Sequence, residues 1–281
     1  MAVDTMSESR VLALSKETDR MWLDCAVAAP AVRPRVRLFC FPYAGASASI
    51  FRPWQAEVHQ DIQVCGVQLP GRGGRFAEAP FSRLSQILDA LTESLHGAPD
   101  VPFAFFGHCM GALIAFELAR RLRREGREPL HLIVSALRPP QLREPRYRLH
   151  LLSNEAFVAA LAALNGLPQE LMQEPELLNM MLPALRADFE ACETYQYRYE
   201  PPLHCPISCY GGRNDPRSTP EEMALWRAHT VATFSCRVFP GNHFFLDSAR
   251  KAVLSALSVE LLGTLIRREH GGNFQSRGAS K

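Results

Sequence analysis

The chain has 281 residues, with 31 Lys plus Arg against 29 Asp plus Glu and a formal net charge of +2. That balance gives no electrostatic basis for binding nucleic acid or a membrane surface, and no apolar run approaches the roughly 18 to 20 residues that would span a bilayer. A chain of this length can form one large α/β domain or two small ones, and it is long enough for a single core that buries about three quarters of its extended surface.

The first residues, MAVDTMSESRVLALSKETDR, place charges through what would be the apolar centre of a secretion signal. They read as a polar tail over 1–20, and a cytoplasmic location is expected. The body, 21–266, alternates short apolar runs with helical patterns. The runs VRLFCF (36–41), IQVCGVQ (62–68), PFAFFG (102–107), LHLIVSA (130–136), CPISCYGG (205–212) and FSCRVFPG (234–241) predict a mostly parallel sheet buried on both faces. Helical periodicity fills the intervals in PFSRLSQILDALTESLHG, in ALIAFELARRLRREG with Gly126 as its stop, in PEEMALWRAHT and in DSARKAVLSALSVELLGTLI.

Between about 153 and 199 two or three helical patterns follow one another with no strand run. Such an insertion is either a lid over a substrate chamber or a helical layer that completes the core. The last residues, 267–281, are polar and Gly-rich and read as a second tail. Eight cysteines, at 25, 40, 65, 109, 192, 205, 209 and 236, lack the dense spacing of a disulfide scaffold. Most sit in apolar segments, so a reducing compartment is expected, with these thiols acting as small core residues.

Gly107-His108-Cys109-Met110-Gly111 fits the G-x-nucleophile-x-G elbow, with an apolar strand before it and a helix after it. The glycines suit a turn too tight for side chains at those positions. The elbow would place Cys109 at a helix N-terminus, where orphan N–H groups favour negative charge. A buried structural thiol in a tight turn is the plain alternative. An elbow nucleophile needs an acid and then a histidine later in the chain, and GGRNDP offers Asp215 past one strand while FPGNHFF offers His243 past the next. In that arrangement His243 takes the proton of Cys109, Asp215 holds the imidazole tautomer, and the thiolate forms an acyl-cysteine. The oxyanion would be held by the N–H of Met110 and by one from FPYAGASAS, with Ala44 as the donor.

The segments FPYAGASAS, VQLPGRGGR, FFGHCMGALIAFELARRL, LLPALRADFEACETYQY, GGRNDP and VFPGNHFFL resemble the type II thioesterases, stand-alone α/β-hydrolases that accompany nonribosomal peptide and polyketide synthases. The likeness runs from about Leu38 to Leu246. It implies an α/β-hydrolase fold with a helical lid, catalytic roles at Cys109, Asp215 and His243, and oxyanion donors at Ala44 and Met110. It also implies no cofactor of the chain's own and substrates that arrive as acyl or aminoacyl thioesters on the phosphopantetheine arm of a carrier protein. Hydrolytic editing is the function so implied, and a monomer is expected.

The chain departs from the pattern at the nucleophile, which is serine in most of that family. An acyl-serine lies below the incoming thioester in energy, so water is its natural acceptor. An acyl-cysteine is itself a thioester, and passing its acyl group to a second carrier is close to thermoneutral. Sulfur therefore opens a second reading, an acyltransferase that shuttles groups between carriers. A serine exchanged for cysteine to slow turnover would look the same, and a non-catalytic carrier-binding protein would not need Asp215 and His243.

Three further features complete the reading. The run RRLRREGR (120–127) is either a solvated helical face or a dock for an acidic carrier. Arg72 and Arg75 in PGRGGR either belong to a plain turn or approach the phosphate of the arm. His204, Cys205 and Cys209 fit no common zinc spacing, so no metal is expected.

Overall fold

The computed structural model describes residues 22–25, 33–96, 101–142, 148–163, 171 and 173–275. The expected tail over 1–20 lies outside these. Seven strands form one sheet in the order β1-β3-β2-β4-β5-β6-β7: β1 Leu23–Cys25, β2 Val36–Phe41, β3 Ile62–Val67, β4 Phe103–His108, β5 Leu132–Ser135, β6 Ile207–Gly212 and β7 Phe234–Phe239. All neighbours pair in parallel except β1, which runs antiparallel to β3. The helices are α1 Leu84–His96, α2 Met110–Arg124, α3 Asn154–Ala163, α4 Pro175–Glu193, α5 Pro220–Ala224, α6 Phe245–Ser248 and α7 Arg250–Gln275.

The central strands are apolar because both of their faces are covered, and successive side chains alternate between the two faces. Phe39 and Phe41 of β2 join the core beneath α1 and α2, while Leu38 and Cys40 join the core beneath α7. Helix α1 contributes Leu84, Ile87, Leu91 and Leu95, and α7 contributes Val253, Leu254, Leu257, Leu261 and Leu265. Both sets follow the three-and-four spacing of a single helical stripe. Helix α2 ends as expected at Gly126, whose positive φ of 73° lets its N–H reach Arg123 O at 2.9 Å while Arg127 N–H reaches Leu122 O at 2.9 Å.

The helical insertion falls between β5 and β6, where the sequence puts it. It has a small core of its own, Leu149, Phe157, Leu161, Leu178, Leu182 and Leu185, with Ala44 and Phe189 packed against it. Helix α4 stops at Glu193, and the chain from 195 to 202 carries no regular element, so the helical pattern read to 199 overshoots. The supposed tail from 267 is helical through Gln275. Arg35 anchors that end through Glu269 at 2.7 Å. Cys25 and Cys65 oppose each other across β1 and β3 and form a disulfide, a pairing that the expectation of mostly free core thiols did not include. Cys40, Cys205 and Cys209 are buried thiols, as expected.

The basic run after the elbow is tied down internally. Arg120 is buried between Glu117 and the Arg198 carbonyl, and Arg123 and Arg124 both pair with Glu200. These bonds fix the return segment before β6 to α2.

Two buried histidines couple this core to pH. His131 bridges Ser208 at 2.8 Å and Thr264 at 3.0 Å, and burial pushes its pKa down to about 4. Burial, helped by the charge of Arg120, also brings His229 down to about 4. An unfolded histidine titrates near 6.5, so the unfolded chain binds more protons between about pH 6.5 and 4 and stability falls as pH drops through that window. The shift of His131 corresponds to about 3 kcal/mol at the acid end of the window. Urea unfolding at pH 7.5 and 4.5 is expected to show the loss, and His131→Gln to flatten it; equal pH slopes for the two proteins would refute the assignment.

Candidate active site

The carboxyl ends of the parallel strands meet at the end of β4, the fourth strand of seven. There Cys109 takes φ 54° and ψ −115°, a conformation that a residue with a side chain adopts only when its surroundings force it. The surroundings are close backbone crossings. A Cβ on Gly107 would lie 2.2 Å from Gly111 O, and one on Gly111 would lie 2.0 Å from Phe41 O. Both positions therefore require glycine. The Cys109 N–H donates to Ser135 O at 2.9 Å, which ties the turn to β5.

Asp215 follows β6 and His243 follows β7, and both are buried. His243 Nδ1 lies 2.8 Å from Asp215 Oδ2. The same carboxylate accepts from Ser218 Oγ at 3.0 Å and, through Oδ1, from the Arg217 N–H at 2.9 Å. Burial works against the charge on Asp215, but its bond to His243, the histidine's charge and the other two donors outweigh burial and lower its pKa. Burial also opposes charge on His243, yet Cys109 and Asp215 outweigh it and raise the imidazole pKa. With Nδ1–H held by the carboxylate, Nε2 is the free basic position; it is buried and makes no well-aligned hydrogen bond in this resting geometry.

His108, next to the nucleophile, is completely buried. Its Nε2 is 2.9 Å from the His243 carbonyl, which can only accept, so Nε2 carries the proton and Nδ1 accepts from Ser135 Oγ at 2.9 Å. Burial, with the charges of His243 and Arg217, holds its pKa well below 6.5 and keeps the ring neutral. Its place is structural: it fixes the backbone that carries His243.

Ala44 and Met110, the expected oxyanion donors, both flank the nucleophile. Met110 opens α2, where first-turn N–H groups have no intrahelical partner. Ala44 lines a recess of about 10 Å³ together with Tyr43, Cys109, Phe189, Arg217, His243 and Phe244. The loop that carries Ala44 is clamped from α4, because Asp188 accepts the Gly45 N–H at 2.7 Å.

That clamp decides between the two readings of the PGRGGR loop in favour of a structural one. Arg72 is buried and makes a two-pronged ion pair with Asp188, one prong being Nη2 to Oδ1 at 2.8 Å. Arg75 pairs with Glu78, donates to the Gln68 carbonyl and lies 4.0 Å over the Trp22 ring. Neither guanidinium faces an incoming phosphate. His204 is exposed beside Glu128, apart from buried Cys205 and Cys209.

Sequence reasoning missed His108, Asp188 and Arg217. The first two act through contacts 135 and 116 residues distant. Arg217 left a faint signal: an Asp two positions earlier that caps its N–H folds the turn back and returns its side chain to the site.

The family model for the thioesterase domain matches residues 36–261. The chain belongs to the thioesterase family. The gramicidin S biosynthesis protein GrsT of Aneurinibacillus migulanus is 42% identical over 81% of this chain and 89% of its own length. Thioesterase PikA5 of Streptomyces venezuelae is 39% identical over 84% of each chain. The structure of the type II thioesterase BorB from the borrelidin biosynthetic cluster superposes with a TM-score of 0.79 at 38% identity, covering 86% of this chain and 98% of its own. The α/β-hydrolase fold expected from the sequence is thus the observed one, and the thioesterase's elbow, acid and histidine lie at the strand ends where that fold builds its site. No helix among the described residues is long and apolar enough to cross a membrane.

Proposed function

We propose that this thioesterase hydrolyses acyl thioesters carried on the phosphopantetheine arm of carrier proteins, through an acyl-enzyme on Cys109. One observation carries the reading: a cysteine held in a strained elbow shares a recess with a histidine whose far nitrogen is bonded to a buried carboxylate. Relatives named as thioesterases and as proteins of biosynthetic clusters support a thioester substrate.

In the proposed cycle His243 Nε2 takes the thiol proton, and sulfur attacks the thioester carbonyl. Asp215 stabilises the imidazolium and keeps its tautomer. The N–H groups of Met110 and Ala44 donate to the oxyanion. The carbon–sulfur bond to the arm breaks, and the departing thiolate takes the proton back from His243. Water, deprotonated by the same nitrogen, then attacks the acyl-cysteine; the carboxylic acid leaves and sulfur is reprotonated. The atoms balance with no cofactor, and the acyl carrier is the partner.

The test mixes the protein with an acyl-loaded carrier and an empty second carrier and follows all species by intact mass. Free acid as the main product is the expected result. A loaded second carrier in place of free acid would overturn hydrolysis in favour of transfer, and an unchanged loaded carrier would overturn both.

A further inference from the structure

Arg217 brings a cation to the reacting centre that the proposed cycle does not use. Its Nη2 lies 4.0 Å from Cys109 Sγ, and its side chain lines the same recess as Cys109 and His243. The position is built rather than accidental: Asp215 caps the Arg217 N–H, so one carboxylate orients both the histidine and the turn that delivers the guanidinium. The positive charge is felt across the site, where it opposes protonation of both His243 and His108. Among the described residues no carboxylate forms an ion pair with it.

Resting on the proposed acyl-enzyme, we propose that Arg217 is the specificity-determining residue of this site and selects short acyl groups that end in a carboxylate. Before reaction the guanidinium faces the sulfur and favours the thiolate that forms when His243 takes its proton. The acyl-cysteine carries no such charge, and the cation then faces the acyl chain. A carboxylate about one or two methylenes beyond the thioester carbonyl reaches the guanidinium and restores a charge-assisted hydrogen bond. A hydrocarbon acyl group leaves the cation partly desolvated without a partner, and an α-ammonium, as in an aminoacyl group, is repelled. The recess of about 10 Å³ holds about one water, so the aromatic walls Tyr43, Phe189 and Phe244 have to yield even for a short acyl group. The phosphate of the pantetheine arm is not the partner, because it sits at the far end of the arm from the thioester that must meet Cys109.

The test compares kcat/KM for N-acetylcysteamine thioesters of succinate, of monomethyl succinate and of β-alanine, with the released acid measured by chromatography. These acyl groups are matched in length or nearly so and differ in charge. The wild-type protein is expected to prefer succinyl over its methyl ester by about 10- to 100-fold, the factor of one hydrogen bond to a charged group, and to use β-alanyl least. Arg217→Met is expected to bring the succinyl to methyl-succinyl ratio near one, and Arg217→Lys to keep part of the preference. Because the readout is a ratio, a general loss of activity in a variant cancels. Equal rates for the three wild-type substrates, or a preference that survives Arg217→Met, would overturn the assignment while leaving the acyl-enzyme standing. Failure of the wild type to release acid from any of them would overturn both.

Discussion

Alanine at position 109 is expected to slow release of acid from an acyl-loaded carrier by about 1,000-fold or more, with the melting temperature little changed. The size follows from what remains. Without sulfur, His243 has no nucleophile to deprotonate, but the donors at Met110 and Ala44 still polarise the carbonyl, so a slow attack by water survives. Stability is little affected because Cys109 is not a core residue: it is only half-buried, and its strained backbone is imposed by Gly107, Gly111 and the bond to Ser135. Alanine keeps the backbone and removes only the sulfur. A Cys109→Ala protein that releases acid within tenfold of the wild type would remove sulfur from the mechanism.

The second large effect is expected far from the sulfur. Asp188→Asn should cost about 3 to 5 kcal/mol, because it leaves the guanidinium of Arg72 buried with no opposing charge. For a chain of this size that corresponds to a drop of about 10 °C in melting temperature. Activity should fall as well, since the same carboxylate accepts the Gly45 N–H beside the proposed oxyanion donor Ala44. The paired variant Arg72→Met with Asp188→Leu removes both charges and should recover part of the stability, though not the Gly45 bond. Recovery of stability without recovery of turnover would separate the two duties of Asp188. A melting temperature for Asp188→Asn within about 2 °C of the wild type would contradict the clamp.

The parts of the fold legible in the sequence are those that a local pattern dictates. Strands β2 to β6 are covered on both faces, so they surface as mainly apolar runs, whereas β7 at the sheet edge is exposed at Cys236, Arg237 and Val238 and departs from the expectation of burial on both faces. Strand β1 escaped because Leu23–Cys25 is too short to show a period, and only its pairing with β3 makes it a strand. The disulfide of Cys25 and Cys65 escaped for the same reason, since it depends on that register. The elbow, Asp215 and His243 were legible because each follows a strand run in the order the chemistry requires. The role of Arg72 stayed open because a Gly-rich loop with arginines reads alike whether it meets a phosphate or a buried aspartate. Asp188 sits on a helix whose periodic pattern gives no hint that one of its faces carries a charge inward. Arg120, Arg123 and Arg124 read as a basic face, yet their carboxylate and carbonyl partners come mainly from the segment at 198–202.

The most direct test of the account is to quench the protein in acid within its first turnover on a succinyl-loaded carrier, then weigh the intact chain and map the modified peptide. A mass gain of one succinyl group is expected, located on Cys109 and released by neutral hydroxylamine as a thioester is. Turnover with no adduct on any residue, or an adduct mapped to a residue other than Cys109, would contradict it.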